Sequence, residues 1–479
     1  SLMVGDDATG TIDAANYNTG LGVDVFAALT SGDNNVAVGF AALDANTTAS
    51  NNTAVGYNSL GANTTGAFNT ASGRQALLSN TTGDNNVAVG GNALYQNTTA
   101  DNNTAVGAYS LDANTTGGQN TAVGIYSLSA NTDGEYNTAV GRRALLTNTG
   151  SDNNTAIGAN ALYTFNVASG NGYNTAVGKN AGYAITTGTS NTIVGAVAGD
   201  SITTGANNTA IGVSALDANT TASSNTAVGS NALGAATTGA LNVAVGSNAL
   251  LTVITGTRNS ALGVGALQLN TASDNVAIGY HALDTCAGGS NNTAVGTEAM
   301  DANTSGSANV AVGYRALDAN TTADNNVAIG QAALGLNTTG TANVAIGHNA
   351  LDANTTASFN FAGGKDALGA NTTGAENVAI GYLALTNNTT GTHNVAVGSS
   401  DGASGATLGT NSTGSQNTAL GMQSLGSNTT ADDNTAVGYQ ALKANTTGSL
   451  NVAVGKSALT ANTTGAKNTV VGVIAGDAL

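Results

Sequence analysis

Residues 120–134, Asn-Thr-Ala-Val-Gly-Ile-Tyr-Ser-Leu-Ser-Ala-Asn-Thr-Asp-Gly, contain the pattern that decides the fold of this chain. Gly124 closes a segment of Asn, Thr or Val, Ala, and Val or Ile, and such a closing glycine occurs 28 times in 479 residues. Nearly every step between closing glycines is 17 residues, and the exceptions are steps of 20, 16 and 23. A fixed short period is the signature of a solenoid, in which each repeat is one structural unit. The sequence therefore predicts a rod of 28 stacked coils.

The residues before each closing glycine have the pattern of a short β-strand. β-Branched residues alternate with alanine, as in residues 36–38 and 53–55, and this period of two is typical of strands. A helix is disfavoured because glycine and β-branched residues recur every few positions. The predicted fold class is all-β, a repetitive parallel β-roll or β-solenoid that runs as one continuous array over residues 1–479. Irregular coils are expected at residues 159–178 and 399–421.

Asparagine opens the strand in 27 of the 28 copies, and the closing glycine is present in all of them. If coils stack in register, each side chain lies above its equivalent about every 4.8 Å, and stacked amides can hydrogen-bond from coil to coil. An obligatory glycine at one corner indicates a positive φ or a close approach of two backbones. These positions predict a structural ladder, represented by Asn35, Gly39, Asn52, Gly56, Asn275, Gly279, Asn309 and Gly313.

Two positions after the closing glycine are predicted to share the interior. Most repeats have Leu four residues after the glycine and Asn seven residues after it. Where that Leu is replaced, the later Asn becomes Ile or Leu, in the pairs Thr9/Ile12, Gly182/Ile185, Gly199/Ile202 and Gly476/Leu479. One cavity that either side chain can fill explains this exchange, so both positions are expected to point inward and to line an aliphatic column.

Alanine at the middle of the strand is predicted to form a face of small residues. The free energy gained by burying one Val and one Leu in each repeat is small compared with the conformational entropy cost of ordering 17 residues. We therefore expect copies of the chain to associate laterally through the alanine face, as a homotrimer. A single-chain solenoid is the alternative. Unpaired strand edges at the two ends predict end-to-end stacking into filaments.

Composition argues against several classes of partner. The net charge is −17 with only 10 Lys and Arg, whereas nucleic acids and anionic membrane surfaces require basic patches. No apolar run approaches 18 residues, so no membrane insertion is predicted. Cys286 is the single cysteine, which excludes a disulfide within the chain. Disorder is disfavoured because the hydrophobic residues, 41% of the chain, occur at regular positions.

No catalytic, cofactor-binding or metal-binding site is predicted. His281, His348 and His393 lie in separate repeats and are expected to be scattered on the surface. Segments 33–35 and 324–326, Asp-Asn-Asn, are interpreted as turns rather than calcium sites, because the tandem Gly-Gly-x-Gly-x-Asp motif of calcium-binding rolls is missing. The glycines form no phosphate-binding loop. The chain is therefore predicted not to be an enzyme and to need no cofactor.

Segments 52–60 (NTAVGYNSL), 275–284 (NVAIGYHALD) and 309–318 (NVAVGYRALD) resemble the head repeats of YadA-like trimeric autotransporter adhesins. The pattern is also similar to the repetitive shafts of phage-type tail fibre proteins. This resemblance covers essentially the whole chain, although the repeat here is longer than the family's. It implies a left-handed parallel β-roll of three chains, and an extracellular structural fibre or adhesin shaft on a cell or virion surface.

Several surface features support an alternative, a surface-binding module on a single-chain solenoid. Tyr163, Phe165 and Tyr173 are candidate contacts for a partner, such as a host glycan or receptor, because loops on rigid scaffolds commonly carry binding. The regularly spaced threonines suggest ice binding as a hypothesis. The other interpretation is that they are ordinary β-forming residues on a polar face. The Asn-Thr-Thr segments, such as residues 46–48, are N-glycosylation sequons, for which a tight polar turn is the other interpretation.

Overall fold

The structure is a computed structural model that describes residues 2–4, 14–402 and 405–477. Throughout these residues the regular elements are short parallel β-strands, and the chain is an all-β parallel β-solenoid. It divides into two compact units, Ser1–Leu241 and Asn242–Leu479. No helix in the described part of the chain is long and apolar enough to span a membrane. Thr9, Ile12 and Leu479 of the proposed exchange lie outside the described residues.

The first unit contains sixteen strands within its described residues. They are β1 (Leu2–Val4), β2 (Thr19–Leu21), β3 (Val36–Val38), β4 (Thr53–Val55), β5 (Thr70–Ser72), β6 (Val87–Val89), β7 (Thr104–Val106), β8 (Thr121–Val123), β9 (Thr138–Val140), β10 (Ser151–Asp152), β11 (Thr155–Ile157), β12 (Gly170–Asn171), β13 (Thr175–Val177), β14 (Thr192–Val194), β15 (Thr209–Ile211) and β16 (Thr226–Val228). Fourteen of them form a parallel ladder in which each strand pairs with the next, alanine opposite alanine in most pairs. β10 and β12 pair with each other.

The second unit contains fourteen strands within its described residues. They are β17 (Val243–Val245), β18 (Ser260–Leu262), β19 (Val276–Ile278), β20 (Thr293–Val295), β21 (Val310–Val312), β22 (Val327–Ile329), β23 (Val344–Ile346), β24 (Phe361–Gly363), β25 (Val378–Ile380), β26 (Val395–Val397), β27 (Thr418–Leu420), β28 (Thr435–Val437), β29 (Val452–Val454) and β30 (Thr469–Val471). All pair in parallel and in register, even where the step between closing glycines is 16 or 23 residues. Each irregular step therefore changes a turn and leaves the ladder intact.

The strand faces are oriented opposite to the prediction. Ala37 and Ala54 are fully buried, whereas Val36 and Val55 are 36% and 40% exposed. The expectation that valine is buried while alanine forms a contact face between chains is therefore wrong. Alternation in a strand places neighbouring residues on opposite faces, and here the alanine face is the interior of the coil.

Volume explains why alanine is the interior residue. The leucine four residues after the closing glycine fills the interior of the coil from the side opposite the strand. A larger residue at the middle of the strand therefore requires a smaller residue at the leucine position. Ile193 in place of alanine is accompanied by Gly199 in place of leucine, and the Ile193 Cδ1 atom lies 3.1 Å from where a Cβ on Gly199 would be. Conversely, Gly20 faces the fully buried Phe26. Each coil thus keeps a nearly constant interior volume.

The turn after each closing glycine holds ordinary residues in the left-handed region of φ. Ala41 and Leu43 have φ of 51° and 54°, and the equivalent residues of other coils are similar. Left-handed φ costs energy for residues other than glycine. Hydrogen bonds between coils offset this strain: the Leu43 N–H donates to the Ser59 carbonyl at 3.2 Å, and the Asn58 N–H to the Phe40 carbonyl at 2.9 Å.

Candidate functional site

The strand-opening asparagines form a hydrogen-bonded column, which we call the strand ladder. The Asn35 carboxamide oxygen accepts the backbone N–H of Asn52 at 2.9 Å, and its NH2 donates to the Ala49 carbonyl at 2.9 Å. In the second unit, Asn275 and Asn309 make the equivalent bonds, with the N–H of Asn292 and of Asn326 in the following coils as donors to their side-chain oxygens. All of these side chains are buried. At these positions of the predicted ladder, each amide joins one coil to the next.

A second asparagine column, seven residues after the closing glycine, was not predicted as a ladder. In this turn ladder, the NH2 of Asn63 donates to the carboxamide oxygen of Asn46 at 3.1 Å and to the Gly66 carbonyl at 2.9 Å. Gly66 also accepts from Asn52 of the strand ladder, so the two ladders converge on one carbonyl. The interior is therefore not purely aliphatic. The signal was present in the sequence, since this asparagine recurs almost as regularly as the strand-opening one.

The closing glycines are required for two reasons at once. Gly39 has a φ of 136°, and a Cβ added to it would lie 2.5 Å from the carbonyl oxygen of Gly56 in the next coil. Gly313 has a φ of 135°, and its Cβ would lie 2.7 Å from the carbonyl of Gly330. Gly56 and Gly279 have similar φ values of 137° and 140°. The glycines thus allow the backbones of successive coils to approach closely.

Threonine and aspartate side chains of the turns also bond from coil to coil. The Thr47 hydroxyl donates to the Thr64 carbonyl at 3.1 Å. Asp33 and Asp324 each accept a backbone N–H of the preceding coil, that of Asn16 and that of Ser307, both at 2.6 Å. These contacts support the turn interpretation of the aspartates and the structural interpretation of the threonines.

The Asn-Thr-Thr sequons are part of the turn ladder. Asn46 is fully buried, and its NH2 donates to the Ala49 carbonyl at 3.0 Å. A glycan on this nitrogen would have to displace the packed neighbouring coils. The structure therefore favours the turn interpretation of these segments.

The irregular coil at residues 159–178 separates the three aromatic residues proposed as partner contacts. Tyr163 is half-buried and stacks on Tyr183, with ring centroids 5.0 Å apart. Tyr173 is 57% exposed. Phe165 is fully buried at a turn-ladder position, so it contributes to the core and is not accessible to a partner. Its ring replaces the next asparagine of the turn ladder. The buried carboxamide oxygen of Asn148 in the preceding coil is consequently left without a hydrogen-bond partner.

The other irregular coil, residues 399–421, is described except for residues 403 and 404. Its inserted residues precede Thr407, whose hydroxyl donates to the Gly421 carbonyl at 2.9 Å. Leu408 is fully buried. The chain thus returns to the regular core after the insertion.

The exposed face of the strands carries columns of β-branched residues. In the second unit, Ile329, Ile346 and Ile380 lie at the last strand position and are 39%, 43% and 43% exposed. Equivalent positions of the first unit include Val55 and Ile211. Smaller residues interrupt these columns, as Gly363 does between Ile346 and Ile380, but exposed apolar residues grouped on one face are typical of interaction surfaces.

Carboxylates five residues after the closing glycine form a partly buried column. Desolvation raises the pKa of Asp44, Asp112 and Asp352 above the ordinary value. Where aspartates of successive coils are adjacent, as Asp200 and Asp217, the neighbouring negative charge raises the pKa of Asp217 further. The column is therefore a place where negative charges are held close together at neutral pH.

The three histidines all face carboxylates. His348 and His393 are largely exposed, and His393 Nε2 lies 2.8 Å from Glu376 Oε2. His281 is less exposed, and its Nδ1 lies 2.7 Å from Asp284 Oδ2. The prediction of scattered surface residues describes His348 and His393 better than His281.

No protein-family model matches this sequence, and no curated protein is significantly similar to it. The resemblance to adhesin head repeats and tail fibre shafts stays a prediction. Function is therefore inferred from the residues and the geometry described above.

Proposed function

We propose that this protein is a non-enzymatic structural element of an extracellular fibre or adhesin shaft. The observation that supports the proposal most directly is the use of polar side chains for cohesion between coils. The strand ladder, the turn ladder and the turn threonines all bond along the stacking direction. A surface built for catalysis would instead direct such groups at a substrate. Coils held at this many points resist local opening, which suits a load-bearing or spacing role.

We further propose that the chains associate laterally as a homotrimer through the exposed strand face. The alanine face cannot serve because it is buried within each chain. The β-branched columns that include Ile329 and Ile346 remain exposed, and they have the same spacing in every copy. Columns of identical spacing can pack against one another in register. Such apolar contact would also oppose the repulsion expected between chains of net charge −17.

The mass of the particle in solution tests this arrangement. We expect light scattering after size-exclusion chromatography to give three times the mass of one chain. Replacement of Ile329 and Ile346 by Lys is expected to yield single chains, because charges on the contact face would be desolvated without partners. Thr322→Lys, an exposed change in a turn, is the control and should leave the trimer intact. A wild-type mass equal to one chain would instead establish the single-chain solenoid.

Electron microscopy of the purified protein tests the shaft role. We expect thin fibres, some of them longer than one array, because end-to-end stacking would continue the same ladders. Compact particles without a fibrous form would contradict the proposal.

A surface-binding module is the second candidate, and the exposed aromatic pairs support it. Phe40 and Tyr57 lie parallel on successive coils with ring centroids 5.5 Å apart, and both are about half exposed. Tyr109 and Tyr126 form a similar pair at 5.1 Å. Such ring faces suit contact with the apolar faces of sugars. Binding to a glycan array that is lost with Tyr57→Ala would support this role, and a thermal hysteresis assay tests the ice alternative.

A further inference from the structure

One side-chain cluster in the second unit is not explained by the stacking of coils. Its charged and imidazole side chains lie in three successive coils, at the second and fifth positions after the closing glycines. An open cleft of about 280 Å³ is lined there by Tyr280, His281, Glu298, Asp301, Arg315 and Asp318. Asp284 belongs to the same coil as His281 and contacts its ring. A short stretch of surface thus holds four carboxylates, one guanidinium and one imidazole.

His281, Asp284 and Asp301 converge within this cleft. One nitrogen or carboxylate oxygen from each of the three residues lies within 4.8 Å of the other two. The closest pair is His281 Nδ1 and Asp284 Oδ2, at 2.7 Å. Zinc binds nitrogen and oxygen at about 2.0–2.2 Å, so small side-chain rotations would bring all three atoms into one coordination sphere.

Two carboxylate oxygens in the cluster lack partners. Asp284 Oδ1 and Asp301 Oδ1 are inaccessible to solvent and have no hydrogen bond. Buried polar atoms are nearly always satisfied, and one cation bound between the two acids would satisfy both oxygens.

The nearest cation of the protein is committed to other acids. Arg315 Nε lies 2.6 Å from Glu298 Oε2 and 4.0 Å from Asp318 Oδ2. Its guanidinium therefore offsets the outer carboxylates of the cleft. The imidazole of His281 contacts the Asp284 carboxylate directly.

Gly265 gives the imidazole room in this cluster. Gly265 occupies, in the preceding coil, the position equivalent to that of His281. A Cβ added to Gly265 would lie 3.1 Å from both Cε1 and Nε2 of the His281 ring. Other coils have larger residues at this position, such as Asn248 and Ala332. The glycine thus leaves a space that the ring of His281 occupies.

We propose that His281, Asp284 and Asp301 bind one divalent transition-metal ion, with Zn²⁺ as the expected metal. An imidazole nitrogen with carboxylate oxygens suits zinc, whereas calcium and magnesium prefer ligand sets made only of oxygen. Because Asp284 and Asp301 belong to successive coils, the ion would link two coils. This site is independent of the structural role proposed above, and it differs from the expectation, drawn from the sequence, of no metal site.

Isothermal titration of the metal-free full chain with Zn²⁺ tests the site. We expect one saturable equivalent, with Ca²⁺ and Mg²⁺ failing to compete at equal concentration. His281→Gln and Asp301→Asn should each weaken binding at least about tenfold. His281→Gln is expected to fold, because glutamine occupies the equivalent position at Gln75 with a φ of 56°.

Two further variants sharpen the test. Gly265→Ala should also weaken zinc binding, because its Cβ would displace the imidazole, and Ala332 has the same backbone conformation in another coil. His393→Gln removes a histidine outside the cluster, one that pairs with Glu376, and should leave the affinity unchanged. Equal affinity of wild type and His281→Gln would overturn the proposal, as would the absence of any saturable zinc binding.

Discussion

The Cδ1 atom of Ile185 lies 2.9 Å from the point where a Cβ atom on Gly182 would be. The isoleucine therefore occupies the space that a leucine at position 182 fills in other coils. Both positions belong to one interior cavity, as the exchange in the sequence predicts. The relationship is energetic as well as geometric, because neither residue can be changed alone without overfilling or emptying that cavity.

A double-mutant cycle on this pair should show strong coupling. Gly182→Leu alone overfills the cavity and should cost about 1–3 kcal/mol. Ile185→Asn alone leaves a void and should cost about 2–4 kcal/mol. The double variant restores the common pattern, and we expect its cost to be at least about 1 kcal/mol below the sum of the single changes. Chemical denaturation measures all three, and strict additivity would refute the shared cavity.

Gly313→Ala should destabilise the second unit. The new Cβ would lie 2.7 Å from the Gly330 carbonyl, and the φ of 135° is unfavourable for alanine. We expect a loss of about 2 kcal/mol or more in the free energy of unfolding. Gly91→Ala is the matched control, because an added Cβ there meets nothing within 4 Å. Thermal unfolding followed by circular dichroism compares the two, and equal midpoints would contradict the close-approach argument.

Asn309→Ala should break the strand ladder at one coil. The change leaves the N–H of Asn326 buried without its partner, while the Ala323 carbonyl keeps the hydrogen bond from the Asn320 side chain. One unsatisfied buried group costs about 1–3 kcal/mol, so a loss of about that size is expected. Asn325→Ala is the control, since Ala308 and Ala342 occupy equivalent turn positions with φ of 57° and 54°. Hydrogen exchange of the Asn326 amide should accelerate in the first variant and not in the second.

Asp217→Asn should stabilise the first unit at neutral pH. Burial and the charge of Asp200 raise the folded-state pKa of Asp217, so the folded state favours the protonated acid. Its contribution to stability is present at low pH and is lost as pH rises through the folded-state pKa. The variant should therefore be more stable than wild type at pH 7, and the difference should vanish below about pH 4. Asp433→Asn, at an exposed position, is the control with the same charge change.

The ladders could be predicted because they depend only on the repeat. Once coils stack in register, Asn35 must lie beside Asn52 and Gly39 beside Gly56, and the 17-residue period specifies those neighbours. The turn ladder of Asn46 and Asn63 followed the same rule and was recoverable from its recurrence.

Two features could not be predicted from the repeat. The His281–Asp301 cluster depends on columns at the second and fifth positions, where residue types vary from coil to coil and no recurrence draws attention to them. The burial of Phe165 follows from its place in the turn ladder, although its aromatic character and its irregular coil indicated a surface contact.

The sequence by itself determined the parallel solenoid, its register and the residues that repeat along it, because like residues must meet when equal coils stack. Only the tertiary structure decided which strand face is the interior. Ala54 and Val55 alternate in a pattern that is apolar on both faces, so periodicity cannot distinguish them. The volume of the leucine that fills the coil determines which face is the interior. The leucine leaves space for the methyl group of an alanine but not for a β-branched side chain.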